Sequence, residues 1–236
     1  GGAVVSDFNA ALASETTTNG ATFTGGAGEE WTLNNTGATP AQIVGSSSLL
    51  FDGVDDFMKA LFALTQPAFP ILVMRQVSWS DGKYIFGGGN TQGMELAQRE
   101  VPSPNIKQYA SGAFANQNGD LAVGQYAIVT VGFTGSTDDF IQINNGTKTT
   151  GQSAGSSGIG GFTFGSWFGG SLNSNIQVKE GIILTTVPSA ATLLALQQRL
   201  ADKHGLTLTY ADNWLMPRYA WLPAANDDEY LLRANR

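Results

Sequence analysis

Apolar residues recur along this chain at the two-residue period of strands far more often than at the helical period. Gln125–Thr134 (QYAIVTVGFT) is the clearest case: Ala127, Val129, Val131 and Phe133 alternate with Ile128, Thr130 and Gly132, which sends successive side chains to opposite faces of a strand. Phe69–Trp79 (FPILVMRQVSW) is nearly continuous in apolar residues and predicts a central strand, with Lys83–Gly87 pairing next through the Ser80-Asp81-Gly82 turn. Met94–Arg99 and Asn105–Ala110 flank a Pro102-Ser103-Pro104 break, and Ile176–Thr186 (IQVKEGIILTT) reads as a last long strand. Two hairpins are predicted, each from a pair of short strands around a turn able to take positive φ. One joins Leu49–Phe51 to a strand from Phe57 through Asp52-Gly53; the other joins Phe140–Asn144 to Thr147–Thr150 through Asn145-Gly146 in a type I′ turn.

Helical spacing occurs twice. Ala3, Val4, Val5, Phe8, Ala11 and Leu12 share one face of a short amphipathic helix over residues 3–12. Leu193, Leu196 and Leu200 fall at i, i+3 and i+7 behind a Pro188-Ser189 cap, and Lys203-His204-Gly205 ends that helix with basic residues and a C′ glycine. Between these lie polar runs; Ser14–Gly28 reads as loop with one edge strand near Thr22–Thr24. Roughly a dozen strand candidates against one strong helix favour an all-β sandwich over an α/β fold.

Composition agrees with that reading and removes several functions. Of 236 residues 30 are glycine and only 13% are charged, the usage of a turn-rich β protein. No Pro-rich or charged linker divides the chain, so residues 1–206 are read as one domain and 207–236 as an extension. With no cysteine there is no disulfide framework, and with a net charge of −7 and scattered basic residues no nucleic-acid partner is expected. No apolar run reaches the ~18 residues of a membrane span. The chain opens on Gly1-Gly2 rather than Met, which predicts processing or trimming.

The run Ser47–Ala60 (SSLLFDGVDDFMKA) resembles the FDGxDD(Y/F) hairpin of laminin-G-like, concanavalin A-like jelly rolls of bacterial, phage and environmental proteins. Trp31–Val44 (WTLNNTGATPAQIV) is similar to the segment preceding that hairpin. The Gly-rich stretch Gly155–Gly170, the strand with Glu180 at the family's acidic place, and the closing helix ending in Lys203-His204-Gly205-Leu206 match its later landmarks. The resemblance covers residues 29–206 and implies a two-sheet antiparallel jelly-roll sandwich. It implies little about a job, because lectins, carbohydrate-binding modules, glycanases, adhesins and virion parts share the architecture.

Retaining glycanases need paired carboxylates ~5–5.5 Å apart, and no run of that spacing exists: Glu95 and Glu100 are five apart, while Glu29-Glu30 and Asp138-Asp139 are adjacent pairs, all read as solvated turns. His204 is the single histidine and sits at a helix end, which disfavours a triad or lyase centre. Gly87-Gly88-Gly89-Asn90 lacks the Lys-Ser/Thr of a phosphate loop. Asp52, Asp55 and Asp56, joined by Asn144, Asn145 or a carbonyl, could hold calcium, the one cofactor suggested; turn capping explains the same aspartates without it. Sugar binding calls for an aromatic platform beside amides or carboxylates, and Trp79 with Asp81, Tyr109 with Asn116 and Gln117, and Trp167 with Asn173 are the candidates.

Tyr210, Trp214, Leu215, Met216, Tyr219, Trp221 and Leu222 make the extension aromatic-rich. Side chains of that size gain about 1.5–3 kcal/mol each on burial, so Trp214, Tyr219 and Trp221 are expected to cover the sandwich or dock on another subunit. The expected function is a non-catalytic interaction module, a virion surface, decoration or adhesion component of a phage or similar extracellular assembly, with protein subunits as partners, a homo-oligomer among the options, and a glycan as ligand. A free-standing lectin and an atypical glycoside hydrolase or lyase are the alternatives.

Overall fold

The structure is a computed structural model that describes residues 4–7, 22–24, 30–34, 42–43, 48–88, 92–168 and 170–208. Its strands are β1 (Val4–Asp7), β2 (Thr22–Thr24), β3 (Glu30–Asn34), β4 (Gln42–Ile43), β5 (Leu49–Asp52), β6 (Phe57–Leu64), β7 (Phe69–Gln76) and β8 (Lys83–Gly88). They continue as β9 (Met94–Gln98), β10 (Ile106–Ala110), β11 (Ala115–Asn118), β12 (Ala127–Gly132), β13 (Phe140–Ile143), β14 (Thr149–Thr150), β15 (Ile159–Phe164) and β16 (Asn175–Leu184), followed by one helix, α1 (Ala190–His204). The first sheet runs β14-β13-β12-β7-β16-β5-β4 with β1 also on β16; the second runs β11-β10-β9-β8-β15-β6-β3-β2. All pairings between strands are antiparallel. This is the expected two-sheet sandwich.

Alternation fills the space between the sheets. Leu72, Met74, Val129, Val131, Ile141 and Ile176 from the first sheet meet Trp31, Met58, Phe86, Leu96, Phe162 and Phe164 from the second in one core. The first sheet has a second apolar face, because Phe69, Ile71, Val73, Ile128, Phe140, Ile182 and Leu184 point the other way and are covered by Leu193, Leu200 and Ala201 of α1. Ser189 caps that helix, its side chain accepting from the Thr192 amide, and Gly205 closes it at φ 64, as expected from the sequence.

Three expectations need correction. Val4–Asp7 is a strand, not the start of a helix: Val4 lies opposite Leu184 and Asp7 opposite Ile182. β5 reaches only Asn175–Val178 of β16, so β1 pairs backbone groups that the far half of that edge would otherwise leave open. The FDGVDDF turn does not close a hairpin either. β5 belongs to the first sheet and β6 to the second, and the turn is the corner between them. Asp52 Oδ1 accepts from the Val54 amide at 2.7 Å, Asp56 Oδ2 accepts from the Asp52 amide at 3.2 Å, and Gly53 takes φ 84. The I′ turn sits one residue early, with Asn144 and Asn145 at φ 47 and 58 and the Gly146 amide donating to Ile143 O at 2.7 Å; Asn144 also accepts from the Ile128 amide, which anchors that register. Within the Gly-rich landmark lies β15, a strand not read from the sequence, where Phe162 and Phe164 enter the core although Gly160 and Gly161 mask the alternation.

Candidate functional site

β8, β9 and β10 are neighbours in the second sheet, whose outer face has no helix over it among the described residues. Met94, Leu96, Ile106 and Ala110 are in the core, so the residues between them, Glu95, Ala97, Lys107 and Tyr109, point outward. Register then sets Tyr109 opposite Glu95 and Ala97 opposite Tyr84. Phe114, just past β10, lies between the two tyrosines, with ring centroids 6.4 Å from Tyr84 and 5.2 Å from Tyr109, and the Arg99 guanidinium rests 4.7 Å over it.

The other wall comes from the turn after β15. Trp167 stacks on Tyr84 at 5.7 Å and 30°, and its amide donates to Ser171 O at 2.9 Å, which closes the turn. The turn lies directly against β8: a Cβ on Gly87 would sit in ordinary van der Waals contact, 3.5 Å from Trp167 Cα and from the Phe168 amide nitrogen. Four aromatic side chains from three separate segments therefore share one patch.

Beneath them is Glu95, fully buried. Its Oε1 accepts from Trp167 Nε1 at 2.7 Å and from the Gly93 amide at 3.3 Å, while its buried Oε2 has no hydrogen-bond partner among the described residues. Burial pushes the Glu95 carboxyl up to about 7, and the bonds from Trp167 and Gly93 only moderate that rise. The Tyr84 phenol is pushed up to about 12, first by burial and then by the Glu95 and Tyr109 charges, with Arg99 opposing. At neutral pH the patch thus offers an uncharged Tyr84 phenol and aromatic faces above a carboxyl that is partly ionised. Ring faces suit the apolar side of a pyranose, and phenol and guanidinium groups suit its hydroxyl rim.

The site residues expected from sequence are partly gathered here. Tyr109 and Trp167 both belong to the patch. Asn173 bridges to Tyr84 through the backbone, but its buried side chain donates to Asp56 O at 3.3 Å. Asn116 is buried at φ 48 with its Nδ2 donating to Asp139 O at 2.8 Å and Gln152 O at 2.7 Å, while Gln117 beside it is exposed. Half-buried Trp79 donates to Asn105 O at 2.8 Å, and exposed Asp81 accepts from the Glu100 amide at 2.7 Å; both shape the corner beside Arg99. Trp214, Tyr219 and Trp221 lie outside the described residues.

The carboxylates also sort themselves. Glu95 is no solvated turn residue; it is mid-strand and sealed. Glu100 is exposed and pairs with Lys107 at 2.7 Å, and Asp139 is buried, accepting from the Thr134 amide at 2.6 Å and the Ala154 amide at 2.9 Å. Glu180 and His204 meet at the far side of the molecule, at 2.6 Å. Asp52, Asp55 and Asp56 bring ligand oxygens within 4.8 Å of one another. That spacing fits a hard cation such as calcium, which these three carboxylates would hold, although Asp52 and Asp56 each already use one oxygen on the turn.

No family model and no curated protein sequence matches the chain. Solved structures do match its fold. A sialidase of Trypanosoma rangeli in complex with sialic acid aligns with a TM-score of 0.61 at 14% identity, over 86% of this chain and 34% of that one. Domain 4 of AbnA, a GH43 extracellular arabinanase of Geobacillus stearothermophilus in complex with arabinotriose, aligns with a TM-score of 0.58 at 12% identity, over 84% of this chain and 99% of that domain. The botulinum neurotoxin serotype D binding domain aligns with a TM-score of 0.57 at 10% identity, over 83% of this chain and 51% of that one. The chain spans about a third of the sialidase's length, and at such identities the likeness establishes a jelly-roll β-sandwich of this architecture and nothing narrower.

Proposed function

We propose that this chain is a carbohydrate-recognition module that binds a glycan on the outer face of its second sheet, against Trp167, Tyr84, Phe114 and Tyr109. The carrying observation is that patch, an aromatic surface assembled from separate segments around a buried carboxyl whose Oε2 has no hydrogen-bond partner among the described residues. The fold likeness to an arabinanase domain whose structure contains arabinotriose supports it. Its setting would be a laminin-G-like surface or virion component of a phage or comparable extracellular assembly, an adhesion part rather than an enzyme.

A glycan array followed by calorimetry tests this reading. Oligosaccharide binding that falls at least tenfold in Trp167→Ala and Tyr109→Ala, but not in Trp79→Ala, supports it. Absence of binding to any glycan, or equal loss in Trp79→Ala, overturns it.

One observation favours a second reading. A carboxyl held near 7 is poised to act as a general acid, which would suit a hydrolase. Against it, the partners that Glu95 has among the described residues are an indole and a backbone amide, where a retaining pair requires a second carboxylate. Release of reducing ends from a polysaccharide, abolished in Glu95→Gln, would establish this reading instead.

A further inference from the structure

The bond between Glu95 and Trp167 links two segments 72 residues apart and joins a sealed strand residue to the ring that forms one wall of the patch. Indole Nε1–H is that ring's sole donor. The Gly93 amide holds Glu95 Oε1 from the other side, so the carboxyl is fixed by its own strand and the indole is fixed by the carboxyl. Tyr84 and Phe168 contact the ring through faces and edges, which set distance but not rotation within the ring plane.

We propose that Glu95 is the positioning residue of the glycan site: its ionised carboxylate sets the Trp167 indole on Tyr84 without touching ligand, and protonation loosens that platform and weakens sugar binding. The ligand half of this proposal rests on the glycan reading above; the Glu95–Trp167 half does not.

A hydrogen bond to a carboxylate is about twice as strong as one to its neutral acid. The ionisable groups around Glu95 leave it as the one that changes. On β8, Tyr84 is held up at about 12 and stays neutral. On β10, Tyr109 stands opposite and Lys107 is paired with Glu100; beyond the end of β9, Arg99 lies over Phe114. No cation pairs with Glu95 among the described residues, so its proton occupancy is set by burial, which places the change near neutral pH.

The test is a pH titration of indole resonances by heteronuclear NMR on the full chain, with the Trp167 signal among the five tryptophans assigned by its loss in Trp167→Phe. The Trp167 Nε1–H shift should move with a midpoint near 7, upfield as pH falls, and should lose that step in Glu95→Gln. A Trp167 signal without a step between pH 5 and pH 9, or one whose step persists in Glu95→Gln, overturns the proposal. In parallel, affinity for arabinotriose should fall about three- to tenfold from pH 8 to pH 5 in the native chain and stay at the lower value throughout in Glu95→Gln. Binding that is strong and independent of pH overturns the ligand half. If arabinotriose fails to bind at either pH, the ligand half fails for that sugar and the resonance titration decides the Glu95–Trp167 half.

Discussion

The two outer faces of this sandwich are built from similar strands and finished in opposite ways. On the first sheet, Phe69, Ile71, Ile128 and Ile182 are sealed beneath α1, and the buried Glu180 is met by Lys203 at 2.9 Å and His204 at 2.6 Å, both from the end of that helix. On the second sheet a buried Glu95 is met by one indole and one amide, with an oxygen left over. A carboxylate with basic groups beside it is a structural lock; one without them among the described residues, under aromatic rings, is costly to ionise. The difference lies less in burial than in what the opposing element brings: α1 delivers two basic groups, whereas the turn after β15 delivers a ring.

If the first face is held by packing, cutting into it has the largest effect. Leu200 is almost completely buried on α1, and Leu200→Ala should lower stability by about 2–4 kcal/mol through lost burial and the cavity left behind, read as a shifted denaturant midpoint at unchanged slope. A loss below about 1 kcal/mol would mean that α1 rests on the sheet without holding it.

The two glutamates should then respond with opposite signs. Glu95 binds its proton more tightly in the folded than in the unfolded chain, so stability contributed by this group is greatest below about 4.5 and declines as pH rises toward about 7. Glu95→Gln should therefore gain up to about 3 kcal/mol over the native chain at pH 8 and gain almost nothing at pH 4.5. Equal stability of the two chains at pH 8 would remove the contrast. Glu180→Gln should lose about 1–2 kcal/mol at pH 7, because it leaves His204, whose side chain is 7% exposed, and Lys203 without their carboxylate. Thermal unfolding of the two variants side by side is the direct comparison.

The sequence reveals much of the scaffold and only part of the site, for physical reasons visible at particular residues. β12 and α1 announce themselves because one period runs through each, and Ser189 and Gly205 carry local cap chemistry. Sheet membership is not local: Leu49-Leu50-Phe51 looks alike whether its partner is Phe57 or Gln177, and here it is the latter side, β16, that takes it. A register shift between Val178 and Glu180 is likewise invisible in IQVKEGIIL. It reverses the parity of β16, so that Ile176 and Val178 face the inter-sheet core while Ile182 and Leu184 face α1, and it turns Glu180 to the helix. In the site, Tyr109 and Trp167 stood out as aromatic residues near loops, and Glu95 stood out only as a carboxylate lacking a partner acid. Nothing local to MELAQ says that Trp167 will cover it. The alternation of KYIFG with MELAQR could have placed Tyr84 and Arg99 beside Glu95, but only once β8 and β9 were taken as neighbours.

The smallest expected effect bears on what the aromatic face is for. Tyr109 is half-buried and meets Phe114 at 5.2 Å, a pair worth about 0.5–1.5 kcal/mol beyond its burial. Tyr109→Ala should therefore lower stability by about 1 kcal/mol, well under the loss at Leu200, while removing a wall of the patch. If it lowers stability by more than about 3 kcal/mol, the aromatic cluster is a second core that happens to be shallow, and the two faces differ in degree only. If the loss is near 1 kcal/mol, the rings are not there chiefly to hold the sheet. Their assembly from β8, β10 and two turns over a carboxyl with one oxygen unbonded among the described residues then needs the other explanation, a surface shaped for something that binds to it.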